Sequence, residues 1–204
     1  MKIDTIGLLL ASLAILAARY VFPGYLEYAI MCLALMAALP AAYIIASRRR
    51  LGDYLLQRGD LWGGLKVSAA LILLAFPIMH YGSTLEEFQS YYPTWAPARH
   101  GIMDLFLYET YMLALMVSTE VLYRGFLMNI LSQGTRYGNA IHAVIYMLAH
   151  LGKPPIEVAY SLPVGWLFGE VDKRYGSILP SLTMHYVSSL IFDLMVLYQA
   201  GAKL

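Results

Sequence analysis

The chain has 204 residues, of which 60% are hydrophobic and only 13% charged. A soluble domain carries about a quarter charged residues, so this composition excludes an ordinary soluble globule and points to the bilayer. The formal net charge of +1 gives no basis for nucleic-acid binding, and a single cysteine, Cys32, excludes an intramolecular disulfide; within its apolar run it reads as a small buried hydrophobe.

The first apolar run, Ile6–Phe22, could be mistaken for a signal peptide. Arg19 near its end, the lack of a small-residue cleavage pattern and the further apolar runs make it a retained first helix. Tyr28–Ser47 holds 20 residues without a charge and is the clearest span. Leu65–Tyr81 follows. The segment Gly82–His100 then forms a loop whose Glu86, Glu87, Tyr91, Tyr92 and Trp95 suit an interfacial belt. Phe106–Leu131 is a long fourth span. Ala140–Leu151 and Val158–Val171 are short and are joined by Gly152-Lys153-Pro154-Pro155, a helix stop. They are either two full helices with polar ends or a broken pair that turns at depth. Ser177–Leu197 closes the chain. The expected fold is an all-α, polytopic transmembrane helical bundle of about seven spans (six to eight), forming a single membrane domain over 1–204. Lys2, Arg48, Arg49, Arg50, Arg58, Arg136, Lys173 and Arg174 fall on one side of such a bundle, against Arg99, Lys153 and Lys203 on the other. The positive-inside rule makes the first side cytoplasmic, with the N-terminus inside and the C-terminus outside.

Ionisable residues inside spans are costly and mark cavities, partners or functional sites. Here they are Glu109, Glu120, Arg124, His150, His185 and Asp193, with His142 nearer a span end. At about 1.5 Å per residue from the cytoplasmic ends of their spans, Glu120, His150 and His185 lie at depths of roughly 16, 15 and 14 Å. Three spans thus bring a carboxylate and two imidazoles to one level. Glu120 and Arg124 are four apart and share a helix face, as do His185 and Ser189, and Tyr146 and His150. A carboxylate and an imidazole can activate a water as general bases, while a second imidazole and a hydroxyl can donate to an oxyanion. Two histidines and one glutamate are also a catalytic zinc set, although no His-Glu-x-x-His motif is present. A structural ion pair, a partner-binding scaffold and a proton-relay transporter remain open on the same residues.

Three stretches carry a resemblance: Thr119-Glu120-Val121-Leu122-Tyr123-Arg124-Gly125-Phe126, then Tyr146-Met147-Leu148-Ala149-His150, then Tyr175-Gly176-Ser177-Ile178-Leu179-Pro180 leading to His185 and Ser189. In order and type they resemble the CPBP (Abi) intramembrane proteases, which include the type II CAAX prenyl endopeptidases. The resemblance covers a core of about 105–195 and leaves 1–104 as three additional N-terminal spans and a loop. It implies a glutamate-dependent endopeptidase, free of metal and other cofactors, acting on a peptide or protein segment that reaches the lipid bilayer. It assigns Glu120, His150, His185, Ser189 and Arg124 to the site, with Glu120 and His150 activating water. It also implies a multi-pass protein of a prokaryotic plasma membrane with the site opening toward the cytoplasm. Two positions depart from the family pattern: Thr119 stands where the first Glu of a pair is expected, and Ser189 where Asn or Asp is expected. The first departure removes a carboxylate, so activity should be low and Thr119→Glu should raise it. The alternative is a non-catalytic scaffold or partner-binding protein of the same fold.

Overall fold

The computed structural model describes residues 4–19 and 24–202; Lys2, Lys203 and the Phe22 end of the first predicted span lie outside them. Eight helices and no β-strand are found among the described residues. They are α1 (Thr5–Ala17), α2 (Tyr25–Ala46), α3 (Leu61–Ser83), α4 (Glu86–Tyr91), α5 (Ile102–Gly134), α6 (Gly138–Ala149), α7 (Pro155–Tyr175) and α8 (Leu179–Gln199). The all-α membrane bundle expected from the sequence is the fold observed. Each of the seven predicted apolar segments coincides with a helix, and α4 is an addition within the loop. By length and apolarity four helices can cross a bilayer: α2, α3, α5 and α8. α1 and α6 are apolar but only 13 and 12 residues long. α7 has 21 residues, but Glu157, Glu170, Asp172, Lys173 and Arg174 make it too polar to qualify.

α2 and α5 each contain a widened π-helical turn, at Leu33–Ala38 and Val121–Leu127. The first ends two residues before Pro40, which has no N–H to continue the ordinary ladder. The second follows Glu120 directly, and its loosened carbonyls are satisfied from the side. Asn129 Nδ2 donates to the Arg124 and Gly125 carbonyls at 2.9 and 2.8 Å. Gly125 is required for another reason: a Cβ there would lie 2.9 Å from Leu56 and 3.3 Å from the Tyr54 carbonyl. The loop after α2 packs directly onto α5 at this point. The main core joins α1, α2 and α5 through Ala11, Ala14, Cys32, Met36, Leu122, Tyr123 and Phe126. α7 leans on α6 through Gly165 and Gly169, whose missing Cβ atoms make room for Tyr146 and Asn139. α8 packs on α3, α5 and α7.

The segment expected to carry an aromatic belt, 82–100, folds as a cap that includes α4. Tyr92 is buried between Phe88 and Phe192. Arg99 donates to the backbone carbonyls of Gln89, Ser90 and Pro93 and pins the loop. The Tyr92 hydroxyl donates to Glu157, which also pairs with Lys153 at 2.7 Å. Burial, and then the Glu157 carboxylate, push the Tyr92 phenol well above its ordinary range, so it remains a donor.

At the opposite end Asp4 caps α1, accepting from the Gly7 N–H and the Tyr43 hydroxyl and pairing with Arg49. Burial alone would raise its pKa; these donors and the Arg49 charge outweigh it and hold the carboxyl below its ordinary 3.8. A depressed acid stabilises the fold above its unfolded pKa, and that contribution is lost as pH falls through the folded value. Asp4→Asn is therefore expected to lower the melting temperature at pH 7. The difference from wild type should shrink as pH falls below 3.8, as read by thermal unfolding in detergent at a series of pH values.

Candidate active site

α5 places Glu120 at the last ordinary turn and Arg124 within the widened one, on the same face. Both side chains are fully buried, at 0% exposure. Arg124 Nη1 donates to Glu120 Oε1 at 3.2 Å. The same oxygen meets His185 Nδ1, from α8, at 2.6 Å. Among the described residues, Glu120 Oε2 is buried without a hydrogen-bond partner at hydrogen-bond geometry, as are Arg124 Nε and Nη2. The guanidinium carbon lies 3.9 Å over the Tyr146 ring and 5.4 Å from that of Phe168. This stacking accommodates a flat cation that has little else to bond.

His150 is the first residue after α6, and its Nδ1 lies 2.9 Å from the Tyr146 carbonyl oxygen. That contact engages Nδ1 and leaves Nε2 available. Its ring stands edge-on to Tyr146 at 4.4 Å, and the same Tyr146 ring lies 6.3 Å from that of His185. Tyr146 is therefore the common neighbour of Arg124, His150 and His185. Ser189 sits one turn beyond His185, half-buried and without a hydrogen bond among the described residues. The structure thus joins Glu120, Arg124 and His185 in direct contact, sets His150 against Tyr146, which they also neighbour, and leaves Ser189 one helical turn from His185. Glu120 has no exposed surface, whereas the His185 side chain is 22% exposed, so His185 forms the accessible edge.

Among the described residues no three His, Cys, Asp or Glu side chains are grouped to hold a metal ion. His150 turns its Nδ1 to a backbone carbonyl, and its ring and that of His185 share Tyr146 as a neighbour. Thr119 donates its hydroxyl back to the Leu115 carbonyl at 2.8 Å, the local bond that competes with any outward role. His142 is buried with Nδ1 3.2 Å from Asn139 Oδ1.

Two features escaped the sequence reading. Asp172, fully buried near the end of α7, accepts from the Ser181 N–H at 3.0 Å and so caps α8. Its predicted span ended at Val171, one residue short; the helix runs on to Tyr175 and stops at Gly176 in the left-handed region. Arg19, at the end of α1, reaches the Ala149 and Leu151 carbonyls on either side of His150 at 3.3 and 3.5 Å. No local pattern announces a contact 130 residues away.

Glu109 and Asp193 form a separate group on α5 and α8, within electrostatic reach of each other. Both are buried, and among the described residues no backbone group or side chain other than the two acids themselves donates to their carboxylate oxygens. Buried acids without donors destabilise a fold. The pair Glu109→Gln with Asp193→Asn is expected to raise stability by roughly 1–2 kcal/mol, read by denaturant unfolding, and to leave any catalysis unchanged.

Residues 101–191 match the family described as type II CAAX prenyl endopeptidase, Rce1-like. The match takes in all three motifs and every predicted site residue, so the resemblance to CAAX-type membrane proteases holds for this segment. The family and the apolar helices mark a multi-pass integral membrane protein. No curated protein and no solved structure matches the chain.

Proposed function

We propose that the chain is a glutamate-dependent intramembrane endopeptidase that hydrolyses a peptide bond of a protein segment at the membrane. The observation that supports this best is the 2.6 Å contact of Glu120 with His185 beside a buried Arg124. Glu120 spends Oε1 on both partners, and Oε2 keeps its lone pairs. A buried carboxylate oxygen of this kind calls for a water, which is the nucleophile in this reading. Water adds to the scissile carbonyl carbon as its proton passes to Glu120, with His150 Nε2 as the partner base. His185 and Ser189 donate to the resulting oxyanion. Collapse of the tetrahedral species breaks the C–N bond, and the proton held by the base leaves on the amine. Arg124 orients Glu120 throughout. In this reading the site opens toward the cytoplasm, the side on which most of the Lys and Arg residues fall, and the membrane is the plasma membrane of a prokaryote. The proposed chemistry uses no metal or other cofactor.

Thr119 and its bond to Leu115 favour the alternative, a non-catalytic member of the same fold that binds a partner. The two readings separate in liposomes. Purified protein reconstituted with a transmembrane peptide and a strong chelator should release two complementary fragments, and His150→Ala should release far less. Fragment release that requires added zinc, or none under any condition, would contradict the proposal.

A further inference from the structure

α1 and α6 start together and stop together. Gly7, near the start of α1, lies against Ile130 of α5, and Gly138, at the start of α6, lies against Ser132, so both helices leave the C-terminal end of α5. With 13 and 12 residues they rise only about 20 and 18 Å, short of the roughly 30 Å hydrocarbon core. Glu120, on the same α5, lies about 21 Å back from Gly134, at the level where the two short helices end. A helix that stops at such depth leaves its last carbonyls without N–H donors, and hydrocarbon offers no water to replace them. α6 stops in this way at His150. The N–H groups of the turn serve the Met147, Leu148 and His150 carbonyls. The Ala149 and Leu151 carbonyls, on either side of His150, are met from α1 by Arg19 Nη1 and Nη2 at 3.3 and 3.5 Å. Among the described residues no acid pairs with Arg19, so the two carbonyls are what its fork engages. The Tyr28 hydroxyl donates to the Ala18 carbonyl at 2.8 Å and steadies the backbone that carries this cation. A charge held at membrane depth without a counter-ion marks a functional role. Gly152, next in the turn, takes φ 100°, and no atom lies within 4 Å of where its Cβ would stand. Side-chain packing therefore does not brace the turn there.

Resting on the functional reading above, we infer that Arg19 is a positioning residue: α1, outside the matched segment 101–191, holds the turn that aims His150. The fork fixes the backbone before and after His150. Its Nδ1–H then stays on the Tyr146 carbonyl at 2.9 Å, and Nε2 stays bare for the proton it takes from water. Lys153 ties the far end of the turn to Glu157 and Tyr92, at 2.7 and 3.3 Å, so loss of Arg19 loosens the turn without unfolding it.

The experiment pairs kinetics with ¹⁵N spectra of histidine-labelled full chain in lipid nanodiscs, the His150 signals being those lost in His150→Ala. Arg19→Met is expected to lower kcat by about 30-fold at nearly constant KM. Arg19→Lys, which keeps a cationic donor, should recover most of that loss. Above the ordinary imidazole pKa, wild-type His150 should show one tautomer, with hydrogen on Nδ1 and none on Nε2. In Arg19→Met the two nitrogen shifts should move toward a common average, and the other four histidines should not change. An unchanged His150 spectrum in Arg19→Met, a rate loss that appears in KM, or an Arg19→Lys variant as slow as Arg19→Met would overturn the inference. Arg19 lies beyond the end of α1 and outside the core, so Arg19→Met should fold. If it does not, Arg19→Gln, whose amide is too short to reach either carbonyl, takes its place with the same expected loss. Absence of wild-type cleavage defeats the functional reading, and the hold of Arg19 on His150 then stands or falls on the spectra alone.

Discussion

Glu120→Gln is expected to lower kcat/KM for membrane-peptide hydrolysis by about a thousandfold or more, without loss of folded protein. Glutamine matches the carboxylate in size and still offers an oxygen to Arg124 and His185, so the packing around α5 survives. What disappears is the basic oxygen. Glu120 Oε2 meets no hydrogen-bond partner among the described residues, and an amide nitrogen placed there would donate to water rather than take its proton. A purely structural Glu120–Arg124 pair predicts the opposite balance, with altered stability and no effect on rate. Kinetics on equal amounts of folded wild type and Glu120→Gln distinguish the two.

Arg124→Met carries the largest expected effect on stability, a loss of about 3–5 kcal/mol. The guanidinium is fully buried, and its removal leaves the Glu120 carboxylate in contact with the His185 imidazole but without its cation. It also removes the cation stacked at 3.9 Å on Tyr146. Methionine fills much of the volume, so the cost is chiefly that of an uncompensated buried charge. The double variant with Glu120→Gln should regain most of the loss, because no bare carboxylate then remains. Urea or thermal unfolding in detergent checks both, and a single variant as stable as wild type would show that the pair contributes little.

Much of this arrangement was legible in the sequence because it rests on short-range periodicity. The four-residue spacing of Glu120 and Arg124 survived even the π-helical turn between them, and the rise per residue placed Glu120 and His185 at one level. The apolar runs located seven of the eight helices. Boundaries and long-range contacts were less legible. Asp172 fell one residue beyond the span end expected at Val171, whereas the helix continues through Tyr175 and is capped by Gly176. Tyr92 was read with its neighbours as part of an interfacial belt, and its burial against Phe192 and Glu157 rests on contacts that composition does not encode. Arg19 reaches the turn around His150 through a contact that no periodicity encodes. The short α6 and the polar α7 satisfy their polar groups against each other, as in the Asn139 bonds to Glu170 and the Trp166 carbonyl. A hydropathy scale cannot see that compensation.

The most direct test is mass spectrometry of a transmembrane peptide incubated in ¹⁸O-labelled water with liposomes of wild type or Glu120→Gln. The account predicts one cleaved bond for the wild type, with ¹⁸O in the new carboxyl terminus, and an intact peptide for Glu120→Gln. Equal cleavage by both proteins, or none by the wild type across varied peptides, would contradict it.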